Sequence, residues 1–216
     1  MDHRIAALIL AGGASRRMGQ DKALLSVPSS AGNRTIPLLA HVSHMASACA
    51  ERVHVLTPWP ERYADFLSPS VVLLPEVKQH SGPLVALLQG WSLIVAHGQK
   101  RGETAPDWLL VLACDMPALD AAILQTWCHS LQSVRPDAIA ALPQHQGRWE
   151  PLCGFYRQSS FRHLSLAIQQ DVRSFQRWLA NESVASLSVN DSNVLQNCNN
   201  PAQWQNFLAQ QDARNP

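Results

Sequence analysis

Charge is scarce in this chain and almost balanced. Seventeen Lys and Arg residues face sixteen Asp and Glu, for a net charge of +1. With no basic surplus, a broad nucleic-acid-binding face is not expected. A locally positive pocket stays open, because total charge says little about one loop. Cysteine is sparse and unpaired in pattern: Cys49, Cys114, Cys128, Cys153 and Cys198 are scattered, odd in number and form no CxxC. That excludes a disulfide framework and a zinc site as organising devices, and fits reduced thiols in a cytoplasmic protein. Long apolar stretches are missing near the N-terminus, where only Ile5–Ala11 is uninterrupted. Such a run is too short for a signal sequence or a bilayer span, so neither secretion nor a membrane is expected. Three glycosylation-type triplets, at Asn33, Asn181 and Asn190, then read as coincidences. No internal repeat or coiled-coil register occurs, and the Asn/Gln-rich stretch 190–205 is the only biased segment.

What is present is apolar material in short, regular pieces. Hydrophobic residues make up 46% of 216, enough for one packed domain spanning 1–216, which at this size buries about 70% of the surface of the unfolded chain. Ile5–Ala11 reads as a strand buried on both faces, and similar runs recur at 53–56, 71–74, 109–113 and 138–142. Between them, 37–50, 84–97 and 121–131 have helical periodicity. Alternating strands and helices predict an α/β fold with three layers and a mostly parallel central sheet. Segments 27–35 and 98–106 read as loops. Beyond Gln158 the pattern weakens, with helices expected at 161–168, 172–179 and 201–211 and a strand at 184–189.

The first strand ends in Gly12-Gly13, and open α/β sheets bind ligands outside the carboxyl ends of their strands. Glycines let backbone N–H groups approach phosphate oxygens, and Arg16, Arg17 and Lys22 add three cations to the same loop. The loop is neither a Walker A sequence nor a GxGxxG fingerprint, and by itself it could be a strand-to-helix turn with a solvated basic edge. A second strand delivers Cys114-Asp115-Met116-Pro117. There Asp115 either holds a hard cation such as magnesium or caps the next helix, with Pro117 in its first turn. Cys114 reads as an apolar residue rather than a nucleophile. His41 and His44, at i,i+3 spacing, lack a third ligand and read as helix surface. Trp149, Trp178 and Trp204 read as core or rim.

The string Leu-Ala-Gly-Gly-x-Ser-x-Arg-Met-Gly-x-Asp-Lys, ungapped from Leu10 to Lys22, resembles the nucleotide-binding signature of the molybdenum cofactor guanylyltransferases (MobA family). These are Rossmann-like nucleotidyltransferases of the nucleoside-diphosphosugar-transferase-like superfamily. The resemblance implies that Leu10, Ala11, Gly12 and Gly13 cradle the nucleotide, Lys22 reaches its phosphates and Arg17 steadies the pyrophosphate. Cys-Asp-x-Pro resembles the family's metal-binding segment, which assigns Mg²⁺ to Asp115. Ser81-Gly82-Pro83-Leu84 resembles a segment beside the nucleotide, although Val85-Ala86 replaces the usual Ala-Gly. Glu76 is the nearest candidate for an acidic nucleotide contact. The polar residue expected after the second strand has no counterpart at Leu56 or Thr57. Glu150–Tyr156 resembles a segment near the acceptor, or is an ordinary buried strand. Asn197-Cys198-Asn199-Asn200-Pro201 resembles a segment at the pterin end of the site, and Asn199 or Asn200 could also cap the last helix.

The resemblance thus implies an enzyme that transfers GMP from GTP to the phosphate of molybdopterin and releases pyrophosphate. Residues 1–118 would serve the nucleotide and 119–216 the acceptor. Molybdoenzymes or other cofactor-synthesis proteins would be further partners. The alternatives are a related transferase using CTP or another acceptor phosphate, and a non-catalytic carrier of nucleotide or molybdopterin.

Overall fold

The computed structural model describes residues 3–13, 15, 17–28, 34–77 and 81–214, with side chains to residue 211. Its first half runs β1 (Ile5–Leu10), β2 (Ser26–Pro28), β3 (Thr35–Pro37), α1 (Leu38–Ala46), β4 (Arg52–Thr57), α2 (Pro60–Tyr63), β5 (Val72–Pro75), α3 (Pro83–Gln99) and β6 (Trp108–Ala113). The second half runs α4 (Ala121–Ser130), β7 (Ala140–His145), β8 (Arg148–Trp149), β9 (Cys153–Arg157), α5 (Ser160–Gln169), α6 (Phe175–Leu179), β10 (Val184–Leu187) and α7 (Pro201–Arg214). One sheet has the order β10-β7-β9-β6-β1-β4-β5, with β8 attached to β7.

The apolar run Ile5–Leu10 lies near the centre of that sheet because both of its faces are covered. Alternate side chains point to opposite layers. Ala7 and Ile9 pack in one core with Leu38 and Val42 of α1, Trp127 of α4 and Trp204 of α7. Ala6 and Leu8 pack in the other with Leu87 and Trp91 of α3, Phe161 of α5 and Trp178 of α6. Trp91 stacks flat on Phe161, with ring centroids 4.0 Å apart, and so fastens α3 to α5. The three-layer α/β reading therefore holds, and two of the tryptophans are core residues, Trp178 and Trp204.

The sheet departs from all-parallel pairing at β9 and at the short β8, which pairs antiparallel with β7. β6, β1, β4 and β5 pair in parallel, as do β7 and β10, but β9 runs antiparallel between β6 and β7. The cause is a two-residue hairpin, Gln146-Gly147, with φ of +50° and +75°. Two central residues with positive φ suit a turn whose twist matches the strands it joins. Cys153–Arg157 is thus a buried strand, as one of its two readings held. The loop reading at 27–35 needs correction, because Ser26–Pro28 pairs antiparallel with Thr35–Pro37. Residues 29–33, including the Asn33 triplet, lie outside the described residues. The helix expected at 172–179 starts later, at Phe175, where Ser174 caps it by accepting from the Arg177 N–H.

Candidate active site at the strand ends

The carboxyl ends of β1, β4, β5 and β6 open on one side of the sheet. The Ala11 N–H continues the ladder past β1 by donating to the Leu56 carbonyl at 2.9 Å. After β5, the Glu76 N–H donates to the Thr57 carbonyl at 2.8 Å, which brings Glu76 beside the glycine loop. A Cβ on Gly12 would meet the Glu76 carboxylate, so glycine lets the end of that side chain rest against the loop. Gly82 stands at φ +86° and turns the chain into α3, whose first residue is Pro83.

The far end of the loop is closed by side chains. Ser15, at φ +47°, accepts from the Lys22 N–H through its Oγ at 3.1 Å. Asp21 caps the short turn at Lys22–Leu24 by accepting from the Ala23 N–H. This geometry sends the Lys22 side chain across the site. Its Nζ donates to Asp115 Oδ2 at 2.6 Å and to Asn199 Oδ1 at 2.9 Å. Lys22 and Asp115 are about seven-eighths buried, with side-chain exposures of 14% and 13%. A paired charge at that depth is held firmly, because an unpaired one would suffer strong desolvation.

These residues enclose a cleft of about 470 Å³. Leu10, Ala11, Gly12, Gly13 and Lys22 line it together with Glu76, Gly82, Asp115, Asn197 and Asn199. Ten of the sequence-selected residues thus converge from four separate chain segments. Arg17 stands apart: it is exposed and does not line the cleft. Arg16 lies outside the described residues. Asp115 does not cap the next helix, because Asp120 does so by accepting from the Ala122 N–H at 2.6 Å. The loop at Asn197–Asn200 has both of its expected roles. Asn197 and Asn199 face the cleft, while Asn200 Oδ1 accepts from the Gln203 N–H in the first turn of α7. The loop is tied down where the Cys198 N–H donates to the Asp115 carbonyl at 3.0 Å.

Some lining residues were not singled out from the sequence. Ser15 and Asp21 fall inside the recognised string but gave no separate signal. Ala86 lines it from α3, in the segment that departs from the family pattern, whereas Leu152, which reaches the cleft from the turn before β9, belongs to the segment Glu150–Tyr156 noted for its resemblance. Leu56 lines it as an apolar residue, whereas Thr57 is fully buried and accepts from the Trp59 N–H. Cys114 also lines the cleft, but burial and then the Asp115 charge push its thiol up to about 12. It stays protonated and is a poor nucleophile. Among the described residues no group of three or more His, Cys, Asp or Glu could hold a metal, His41 and His44 included. One carboxylate, an amide oxygen and room for phosphates fit a magnesium ion carried by its substrate better than a protein-only cage.

The chain matches a family model described as "MobA-like NTP transferase domain" over residues 7–186. A relative named probable molybdenum cofactor guanylyltransferase, from Nostoc sp., is 44% identical over 199 residues, covering 92% of this chain and 88% of the relative. Another of that name, from Synechococcus elongatus, is 41% identical and covers 93% and 96%. The crystal structure of molybdopterin-guanine dinucleotide biosynthesis protein A from Archaeoglobus fulgidus superposes with a TM-score of 0.69 at 18% identity, covering 95% and 99%, and so shares the fold. With its glycine loop, its Lys22–Asp115 pair and these relatives, the chain belongs to the MobA-like NTP transferase domain family and is a nucleotidyltransferase.

Proposed function

We propose that this enzyme transfers GMP from GTP to the phosphate of molybdopterin, forming the guanine dinucleotide cofactor and releasing pyrophosphate. One observation carries the reading: Lys22 Nζ lies within hydrogen-bond distance of both Asp115 and Asn199. A phosphate-loop cation, a strand-end carboxylate and an amide of the C-terminal segment thereby meet at one point. The names of the relatives at 41–44% identity supply the substrates.

In the reaction, an oxygen of the molybdopterin phosphate attacks the α-phosphorus in line. The bond to the bridging oxygen breaks, and pyrophosphate leaves with the electron pair. The backbone N–H groups at Gly12 and Gly13 approach the phosphates without a Cβ in the way. Lys22 donates to phosphate oxygens as charge shifts toward the leaving group. Arg17, exposed on the same loop, assists the departing pyrophosphate. Asp115, with substrate phosphates and water, would hold Mg²⁺, which when bound neutralises phosphate charge. Glu76 presents two acceptor oxygens beside Gly12, suited to the adjacent N–H groups of guanine. Residues 1–118 serve the nucleotide and residues 119–216 the acceptor, with Asn197 and Asn199 at the boundary. No covalent enzyme intermediate is needed.

The work takes place in the cytoplasm, which suits five free thiols. The test is incubation with magnesium, molybdopterin and each of the four nucleoside triphosphates, reading pyrophosphate. Release with GTP alone is expected. Turnover with CTP and not GTP would remove the guanylyl assignment.

A further inference from the structure

Asp21, at the edge of the cleft, is a carboxylate held by three hydrogen bonds. Its Oδ1 accepts from the Ala23 N–H at 3.1 Å. Its Oδ2 accepts from the Tyr63 hydroxyl at 2.8 Å and from Arg62 Nη1 at 3.0 Å. Both partners belong to α2, the short helix that follows β4. Tyr63 is 1% exposed, so its ring is anchored in the core and its hydroxyl is a fixed point. The Arg62 guanidinium lies over the Trp59 ring, 4.5 Å from its centroid, which limits its own freedom. Burial, reinforced by the bond to Asp21, raises the Tyr63 pKa, so the phenol remains a donor at any working pH. Asp21 immediately precedes Lys22, whose N–H is held by Ser15.

We propose that Asp21 is a positioning residue: Tyr63 and Arg62 grip its carboxylate, and the grip fixes the backbone from which Lys22 reaches across the cleft. The inference rests on the nucleotidyltransfer reading of the site and deepens it, because it names what holds the phosphate-binding lysine in place. A lysine side chain has four rotatable bonds and loses much freedom when fixed. Anchoring its backbone on both sides, by Ser15 before and Asp21 beside it, reduces what remains to be ordered when phosphate arrives. A carboxylate is required because it accepts three hydrogen bonds at once, on two oxygens, from groups on two segments. Asp21 itself lines the cleft, but all three of these bonds point to protein groups.

The test is a double-mutant cycle on magnesium-dependent GTP turnover, with the Kd for magnesium–GTP measured in parallel. Tyr63→Phe keeps the buried ring, so the fold is retained, and should lower kcat/KM about tenfold. Asp21→Ala should lower it about a hundredfold, and Asp21→Asn should recover about tenfold of that loss, since the amide oxygen still accepts. In a Lys22→Ala background, Tyr63→Phe should have almost no further effect, because the residue through which it acts has gone. An undiminished tenfold loss in that background, or wild-type turnover by both Tyr63→Phe and Asp21→Ala, would overturn the proposal. Should wild-type protein release no pyrophosphate, the functional reading fails instead. The Kd cycle for magnesium–GTP would then still report whether Tyr63 and Lys22 are coupled.

Discussion

The two halves of the sheet build their share of the cleft by different means. In the first half, β1, β4, β5 and β6 lie parallel, so their carboxyl ends reach the same edge. The site there is carried on the strand ends themselves: a glycine loop after β1, a carboxylate after β5 and another after β6. In the second half, β9 reverses direction between β6 and β7. Its contribution comes from a turn, at Leu152, and from a loop that leaves the sheet, at Asn197 and Asn199. That loop is moored by the backbone bond from Cys198 to Asp115 and by bonds of Asn199 and Asn200 to Gln203. Parallel strands deliver groups to one edge automatically, whereas an antiparallel insertion makes the chain return through loops held by side chains.

The two arms meet at Lys22, Asp115 and Asn199, and breaking that junction should have the largest effect. Lys22→Ala and Asp115→Ala are each expected to lower kcat about a thousandfold, some 4 kcal/mol of transition-state stabilisation. Pyrophosphate release measured at saturating GTP checks this. If both variants kept wild-type rates, the junction would be a structural ion pair and the enzymatic role assigned to it would fall.

The first half depends on the close approach of backbone and carboxylate, so Gly12→Ala should be the next most damaging change. A methyl group there must push Glu76 aside. An approximately hundredfold rise in the Kd for GTP is expected, about 2.7 kcal/mol, while binding of the acceptor alone is unaffected. Titration calorimetry with each substrate separates the two. Equal loss of both affinities would show that the halves are not independent.

Acid should also act on the first half. His54 on β4 is 2% exposed and lies beside His97; burial lowers its pKa to about 4, against a bond to the Ala7 carbonyl that opposes the shift. The unfolded chain then binds a proton before the folded chain does. Stability is therefore full above the unfolded value of about 6.5 and falls as pH drops from there to about 4, with roughly 2 kcal/mol lost by pH 5. Denaturant midpoints at pH 7 and pH 5 should differ by that amount, and His54→Gln should flatten the difference. A slope unchanged by the substitution would place the acid sensitivity elsewhere.

The smallest expected effect lies in the second half. Asn199→Ala removes one hydrogen bond to Lys22 and one polar group from the proposed acceptor side, without touching the moorings at Cys198 and Asn200. A rise of about tenfold in the KM for molybdopterin, with GTP affinity within a factor of two, is expected. Steady-state kinetics varying each substrate in turn would detect a shift in GTP instead, which would move Asn199 to the nucleotide side.

Much of the first half could be read directly from the chain. The run Ile5–Ala11 is apolar at every position because the strand is covered on both faces, and that pattern needs no knowledge of the rest. Gly12-Gly13 and Lys22 likewise sit in a contiguous string whose spacing is local. The direction of β9 could not be read, because a short apolar run such as Cys153–Tyr156 packs equally well either way. The contacts that set it are with β6 and β7, more than ten residues distant or across a hairpin. The role of Asp120 as the cap of α4 was also hidden, since Asp115 stood at a spacing that fitted a helix start almost as well.

By itself, then, the sequence determined the layers, the parallel core and the place of the glycine loop at the end of the first strand, because hydrophobic periodicity and glycine spacing act over a few residues. Only the tertiary structure decided that Lys22, Asp115 and Asn199 share one point and that Glu76 closes on Gly12. It also decided that Asp21 is held by Tyr63 and Arg62 of α2. These are meetings of segments separated by 41 to 177 positions in the chain, and distances of that kind are fixed by how the strands are ordered in the sheet.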